Sequence, residues 1–220
     1  MTDETSRARR VPRWLEVPLF VVATLALALV VKAFLFQAFV IPSTSMAPTL
    51  AKQDKIVVQK WSYWSGEPQR GDVVVFADPG QWLTDVDPPS PWQRGLQAIG
   101  LSPAGGHLVK RVVGVAGDEV RCCDESGRTL VNGEPIDEPY LADAQANAER
   151  TFQVTVPRGR LWVQGDNRGN SQDSRLHADE PGGGFVPTDL VVGRLWWRVW
   201  PLDRFGGVGG TEAFERVPRP

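Results

Sequence analysis

The sequence predicts a mainly β protein: a single N-terminal transmembrane helix followed by an antiparallel β-sheet or barrel-like domain. Three observations carry this expectation. Near the N-terminus, 20 residues from Val17 to Phe36 contain one charge, Lys32. Beyond them come eight short, Val-rich runs with no long helical period between them. Turn residues punctuate the runs, and Asn132-Gly133 is the clearest hairpin signal because both residues tolerate positive φ.

The apolar run is close to the length that crosses ~30 Å of hydrocarbon. Pro18 falls in its first turn, where a missing N–H costs little. Lys32 sits near the far end, where its amine can reach the headgroups. Residues 1–16 carry Arg7, Arg9, Arg10 and Arg13, whereas Gln37 to Lys52 hold one Lys. That asymmetry predicts a cytoplasmic N-terminal tail and an exported remainder. A cleaved signal peptide is the competing reading. Against it, Ala26-Leu27-Ala28 lies inside the apolar run, and Pro48 follows Ser45-Met46-Ala47. A retained anchor over residues 17–36 is therefore expected.

Residues 37–204 are expected to form one extracytoplasmic β-rich domain. Its strands are read at 54–60, 71–77, 107–116, 118–122, 128–132, 151–156, 160–165 and 189–199. Residues 78–106, rich in Pro and Gly, read as a surface insertion between two strands. Residues 205–220, Gly-rich and then charged, read as a loose tail. The chain has 22 Gly and 18 Pro, but 42 % hydrophobic residues and a net charge of −2 exclude disorder. Two His and two Cys are too few for a zinc-finger-type site. A pI near 5.8 gives no basic surplus for nucleic acid. The mean hydropathy of −0.22 averages one anchor with a polar domain.

Three places hold chemistry. Ser43 and Ser45 lie between Pro42 and Pro48, just past the apolar run. Lys110 and Arg111 are adjacent in a strand, so alternation sends them to opposite faces and one must face inward. An inward lysine loses solvation, which lowers its pKa from ~10.4. Residues 165–175 (GDNRGNSQDSR) follow a strand and are dense in small polar side chains. A serine with a lysine base is one hydrolytic pairing these residues allow. A Ser-His-Asp set using His107 or His177 is another, and spacing leaves both open.

Taken in order, these segments resemble the type I signal peptidases, membrane-anchored serine endopeptidases that remove signal peptides from exported preproteins. IPSTSMAPTL (41–50), RGDVVVF (70–76), KRVVGVAGDEV (110–120) and GDNRGNSQDSR match the family's four boxes behind the anchor. The resemblance runs from the anchor to about Val199. It implies Ser45 as nucleophile, Lys110 as general base, and Ser43 with the Ser45 N–H as oxyanion hole. It implies that Ser171 positions the lysine, that Asp173 pairs with Arg175, and that Arg111 pairs with Asp166. Phe39, Ile41, Met46 and Val109 match positions lining a shallow pocket for small residues, with cleavage after small-x-small (Ala-x-Ala) sites. Thr44 and Gly169 stand where the family commonly has Gly and Asp. The resemblance implies no cofactor and no metal. It implies preprotein partners, a lipid bilayer, a neighbouring protein-export channel, and a bacterial plasma membrane location. The rival readings are an exported hydrolase of another acyl substrate, for which no S-x-x-K accompanies Ser45, and a non-catalytic anchored scaffold.

Some features stand outside that reading. Arg70-Gly71-Asp72 spells an adhesion tripeptide but is expected to start a strand. Adjacent Cys122 and Cys123 leave a vicinal disulfide, free thiols or an intermolecular bond open. Nine Trp allow an apolar surface at a bilayer, with core packing as the default for most.

Overall fold

In the computed structural model the described residues are 12–64, 66–80, 82–83, 90–92, 106–143, 146–147 and 150–220. Helix α1, Arg13–Leu35, has 23 residues and is about 35 Å long at 1.5 Å per residue. Its stretch Trp14–Val31 is long and apolar enough to cross a membrane, and none of it is buried among the described residues. Within it, the Thr24 hydroxyl donates to the Phe20 carbonyl at 2.8 Å, which satisfies a polar group on an apolar helix. The helix starts earlier than the hydrophobic run and ends one residue sooner. Phe36 opens a strand instead.

In chain order the early strands are β1 (Phe36–Val40), β2 (Lys55–Gln59), β3 (Val73–Ala77) and β4 (His107–Gly114). Next come β5 (Glu119–Cys122), β6 (Thr129–Val131), β7 (Glu134–Pro135) and β8 (Phe152–Thr155). The last are β9 (Arg160–Gln164), β10 (Val186–Pro187) and β11 (Val191–Trp200). Each of the eight Val-rich runs is a strand. All pairings are antiparallel. One sheet has the order β1-β2-β11-β3-β4-β9-β10 and the other β7-β6-β5-β8. Asn132 (φ 53°) and Gly133 (φ 81°) turn β6 into β7, as the hairpin signal predicts.

Alternation along β3 and β4 divides the large sheet's interior in two. Val73 and Val75 join Phe39, Ile41, Met46, Leu50, Ile56 and Val58 on one side, with Val109 packed against them. Val74 and Phe76 join Leu108, Val112, Leu161, Val163 and Trp82 on the other. A third core links the sheets through Val113, Val120, Val131 and Trp162.

Three expectations change here. The segment after residue 204 is packed, not loose: Phe214 and Val217 are buried in the third core. Their apolar side chains fill the gap beside Trp162, which the segment's composition gave no sign of. The insertion is not all surface either, because Trp82 is only 4 % exposed; residues 84–89 and 93–105 lie outside the described residues. Most Trp are not core: only Trp82 and Trp162 are buried, while Trp14, Trp64, Trp92, Trp196 and Trp200 are exposed. The Arg70-Gly71-Asp72 triplet is committed internally. Arg70 pairs with buried Asp118, and Asp72 accepts from the Tyr63 hydroxyl at 2.9 Å. Cys122 and Cys123 are bonded to each other.

Candidate active site

Strand β4 sets the site, because its alternation separates two neighbouring cations. Arg111 is fully buried and fully partnered. Its guanidinium makes a two-pronged contact with Asp166, Nε to Oδ1 at 2.9 Å and a terminal nitrogen to Oδ2 at 2.8 Å. The other terminal nitrogen donates to the Gly71 and Gly209 carbonyls, and the plane lies 3.8 Å from the Tyr140 ring centre. Lys110, on the other face, is 3 % exposed and makes no ion pair with a carboxylate among the described residues. Its Nζ lies 2.7 Å from Ser45 Oγ. Burial pulls the lysine down from 10.5 to about 8, only partly opposed by the fields of Asp173 and Asp166 and reinforced by Arg175.

Ser45 sits in a tight turn that two buried side chains, Met46 and Leu50, pin to the core. Backbone bonds from Ala47 to Thr44 (3.0 Å) and from Leu50 to Met46 (2.8 Å) shape the turn. Ser43 Oγ lies 3.2 Å from Ser45 Oγ. The turn is docked on residues 165–175 by main-chain contacts. The Asn167 N–H donates to the Ser45 carbonyl at 3.0 Å, and its side-chain amide donates to the Thr44 carbonyl at 3.1 Å. Thr44 earns its hydroxyl here, accepting from Asn170 at 3.1 Å. The Thr49 hydroxyl donates to Asp166, which ties this turn to the Arg111 pair.

Residues 165–175 are stiffened by buried charge. Asp173 takes Arg175 Nε at 2.9 Å and a terminal nitrogen at 2.8 Å, and accepts the Gly165 N–H at 3.0 Å. Burial alone would raise the Asp173 carboxyl, but Arg175 and that N–H outweigh it and hold it below the usual range. Arg168 reaches across to Glu138, with contacts at 3.0 and 2.5 Å, and donates to the Gly165 carbonyl at 3.0 Å. Gly165 is a spatial requirement: a Cβ there would collide with the Ser171 side chain and the Ser45 carbonyl oxygen. Ser171 is buried, and its hydroxyl is close enough to Asp173 to help hold that carboxyl down. No bond from it to Lys110 is formed among the described residues.

The structure thus brings Ser43, Ser45, Lys110, Arg111, Asp166, Ser171, Asp173 and Arg175 into one neighbourhood. Phe39, Ile41 and Met46 lie together, with Val109 against them, on the far side of β4 from Lys110. Neither histidine bonds Ser45. The His107 ring lies 5.5 Å from Phe39, and His177 stacks on Trp82 at 4.5 Å with Nδ1 2.9 Å from Glu180. Sequence reasoning missed Gly165, Asn167 and Arg168, which were in the polar run but given no role. It also missed Thr49, Glu138, Trp82 and Leu83. Trp82 and Leu83 line the cleft beside Ser45 and Lys110, yet sit in a stretch read by composition alone. No cluster of three metal-ligating side chains occurs among the described residues.

A buried amine against a serine hydroxyl, next to a second hydroxyl, is an arrangement suited to acyl transfer. The comparisons with known proteins agree in class. The model of the signal peptidase family, peptidase S26, matches residues 14–200. A signal peptidase I of Mycobacterium tuberculosis is 39 % identical over 94 % of this chain and 79 % of its own length. Signal peptidase I T of Bacillus subtilis is 30 % identical over 92 % of this chain and 93 % of its own. A crystal structure of a signal peptidase I from Enterococcus faecalis aligns with TM-score 0.39 and 29 % identity, covering 59 % of this chain and 97 % of that one. The chain belongs to the signal peptidase family, peptidase S26.

Proposed function

We propose that the protein is a membrane-anchored serine endopeptidase that removes signal peptides from exported preproteins with a Ser45 nucleophile and a Lys110 base. The observation that carries this reading is the 2.7 Å approach of a desolvated Lys110 Nζ to Ser45 Oγ. A serine hydroxyl is a weak nucleophile until a base takes its proton, and lysine is a base only when neutral. With a pKa of about 8, a useful fraction of Lys110 is neutral near neutral pH. Ser45 Oγ attacks the scissile carbonyl carbon while its proton passes to Lys110 Nζ. The tetrahedral intermediate's oxyanion is met by the Ser43 hydroxyl and the Ser45 N–H, donors worth about 2.7–4 kcal/mol each in comparable sites. Collapse breaks the C–N bond, and the Lys110 ammonium returns the proton to the leaving amine. Water, deprotonated by Lys110 Nζ, then attacks the acyl-serine carbonyl, and Lys110 returns the proton to Ser45 Oγ as the ester C–O bond breaks. The role of Ser171 is to bound the space of the Lys110–Ser45 pair from behind Gly165.

Small residues are expected ahead of the cut, as Ala-x-Ala, because Met46, next to Ser45 in the chain, packs with Phe39, Ile41 and Val109 into a closed apolar group that leaves little room. The helix α1 anchors the enzyme in a bacterial plasma membrane, with the arginine-bearing tail cytoplasmic and the β domain outside. The exposed Trp196 and Trp200 then lie near the bilayer face and the export channel from which substrates emerge. A preprotein incubated with detergent-solubilised protein should be cut at its Ala-x-Ala junction, and not by the Ser45→Ala or Lys110→Ala variants. Full cleavage by Lys110→Ala would end the Ser–Lys reading, and none by wild type would favour a scaffold.

A further inference from the structure

The turn that carries Ser45 is docked on residues 165–175, and a second clamp meets it from residues 198–204. Main chain closes the base of the turn: the Ile41 N–H donates to the Asp54 carbonyl at 2.9 Å, and the Gln53 N–H to the Ile41 carbonyl at 2.8 Å. The carbonyls of Pro48 and Thr49, just past the serine, go to two arginines. Arg204, at the end of the short helical turn Leu202–Arg204, donates from one terminal nitrogen to Pro48 at 2.8 Å and to Thr49 at 3.3 Å. Its other terminal nitrogen pairs with Asp54 at 3.2 Å. Asp54 is buried and also accepts the Ala51 N–H at 2.9 Å. Arg198, in β11, donates to the Thr49 carbonyl at 2.7 Å and to the carbonyl of Arg204 itself.

Two neighbouring cations repel, and burial together with the Arg204 charge pulls Arg198 below its ordinary value. What offsets the repulsion is the Asp54 carboxylate and the two carbonyls of the serine turn. A planar fork spans the carboxylate and the carbonyls at once, which the point charge of an ammonium does not. Thr49 is therefore held on both sides, its hydroxyl on Asp166 and its carbonyl on the arginines. So held, the turn has one seat, and the hydroxyl and N–H of Ser45 move only with it. We propose that Arg204, backed by Arg198, is a positioning residue for the nucleophile, its guanidinium fixing the Pro48–Thr49 side of the turn so that Ser45 stays in register with Lys110. This rests on the endopeptidase reading above, since the seat matters to rate only if Ser45 attacks.

Steady-state cleavage of an Ala-x-Ala peptide by the full-length protein in detergent tests this. Arg204→Ala should lower kcat about 10²-fold, as a misplaced reacting group does, and change KM by less than about threefold. Arg204→Lys, which keeps the charge and loses the fork, should fall about tenfold in kcat. A cavity of about 470 Å³ lined by Pro48, Thr49 and Arg198 adjoins the Arg204 side chain and leaves room for a small cation. Millimolar methylguanidinium should therefore raise the kcat of Arg204→Ala about tenfold and leave wild type unchanged. A variant that had merely lost folded protein would gain nothing, because guanidinium compounds favour unfolding. Wild-type kcat in Arg204→Ala, or a loss that methylguanidinium does not restore, would overturn the positioning role while leaving the endopeptidase intact. If Arg204→Ala does not fold, Arg204→Lys decides, and wild-type kcat there would overturn the role of the fork. Absence of any cleavage by wild type would instead overturn the endopeptidase reading, and this inference with it.

Discussion

Lys110 and Arg111 are neighbours on one strand, both buried, both cationic by type, and their surroundings differ in almost every respect. On the Arg111 face, a carboxylate, two carbonyls and an aromatic ring meet the guanidinium. A buried charge so completely matched stays charged and holds the fold. On the Lys110 face, a serine hydroxyl is the contact and carboxylates act only from a distance. A buried ammonium so poorly matched gives up its proton easily. The difference lies in the partner, not in depth: the proposed base is the cation left without the carboxylate contact that its neighbour receives.

The contrast breaks most visibly if the lysine is removed. Lys110→Met should cost on the order of 10⁴-fold or more in kcat/KM. It should also stabilise the protein at pH 7. The native lysine binds its proton with a pKa of about 8 and the unfolded one near 10.5, so the unfolded state holds more protons between those values. Stability therefore rises with pH through that window, and below it the wild type bears the full cost of a buried ammonium. Thermal unfolding at pH 7 and pH 10.5 should show the variant's advantage shrinking at the higher pH.

Asp166→Asn tests the other face. It leaves Arg111 buried without its counter-charge and should cost about 3–5 kcal/mol in denaturant unfolding. Activity should then follow the folded fraction. Gly165→Ala comes next: its Cβ pushes on the Ser45 carbonyl and Ser171, so kcat should fall about 10²-fold from a misplaced nucleophile, with KM less changed. Ser171→Ala should be the mildest, about tenfold in kcat/KM and about 1 kcal/mol in stability, because Arg175 and the Gly165 N–H remain on Asp173 when the hydroxyl is lost.

How much of this was legible in the sequence depends on the range of the interactions. Short Val-rich runs found eight of the strands, since burial on both faces of a sheet writes itself locally as a continuous apolar run, as Val73-Val74-Val75 does. Strand β1 was hidden because Phe36 continues the helix's apolar run without a break. Two-residue strands such as β7 carry no period at all. The polar run 165–175 pointed to the site, but Glu138, the carboxylate that holds Arg168, comes from outside every recognisable segment. Trp82 was masked by the Pro and Gly around it, and Phe214 by the Gly before it: composition describes a segment's average, and burial is decided by single side chains.

The central claim is that Lys110 gives up its proton far more readily than an ordinary lysine, so that a usable fraction is neutral near physiological pH, and its side-chain resonance reports that directly. In protein labelled with ¹⁵N-lysine, the Nζ signal that Lys110→Arg removes should titrate with a midpoint of about 8. A midpoint above 10 would mean an ordinary, charged lysine beside Ser45, and would contradict the account.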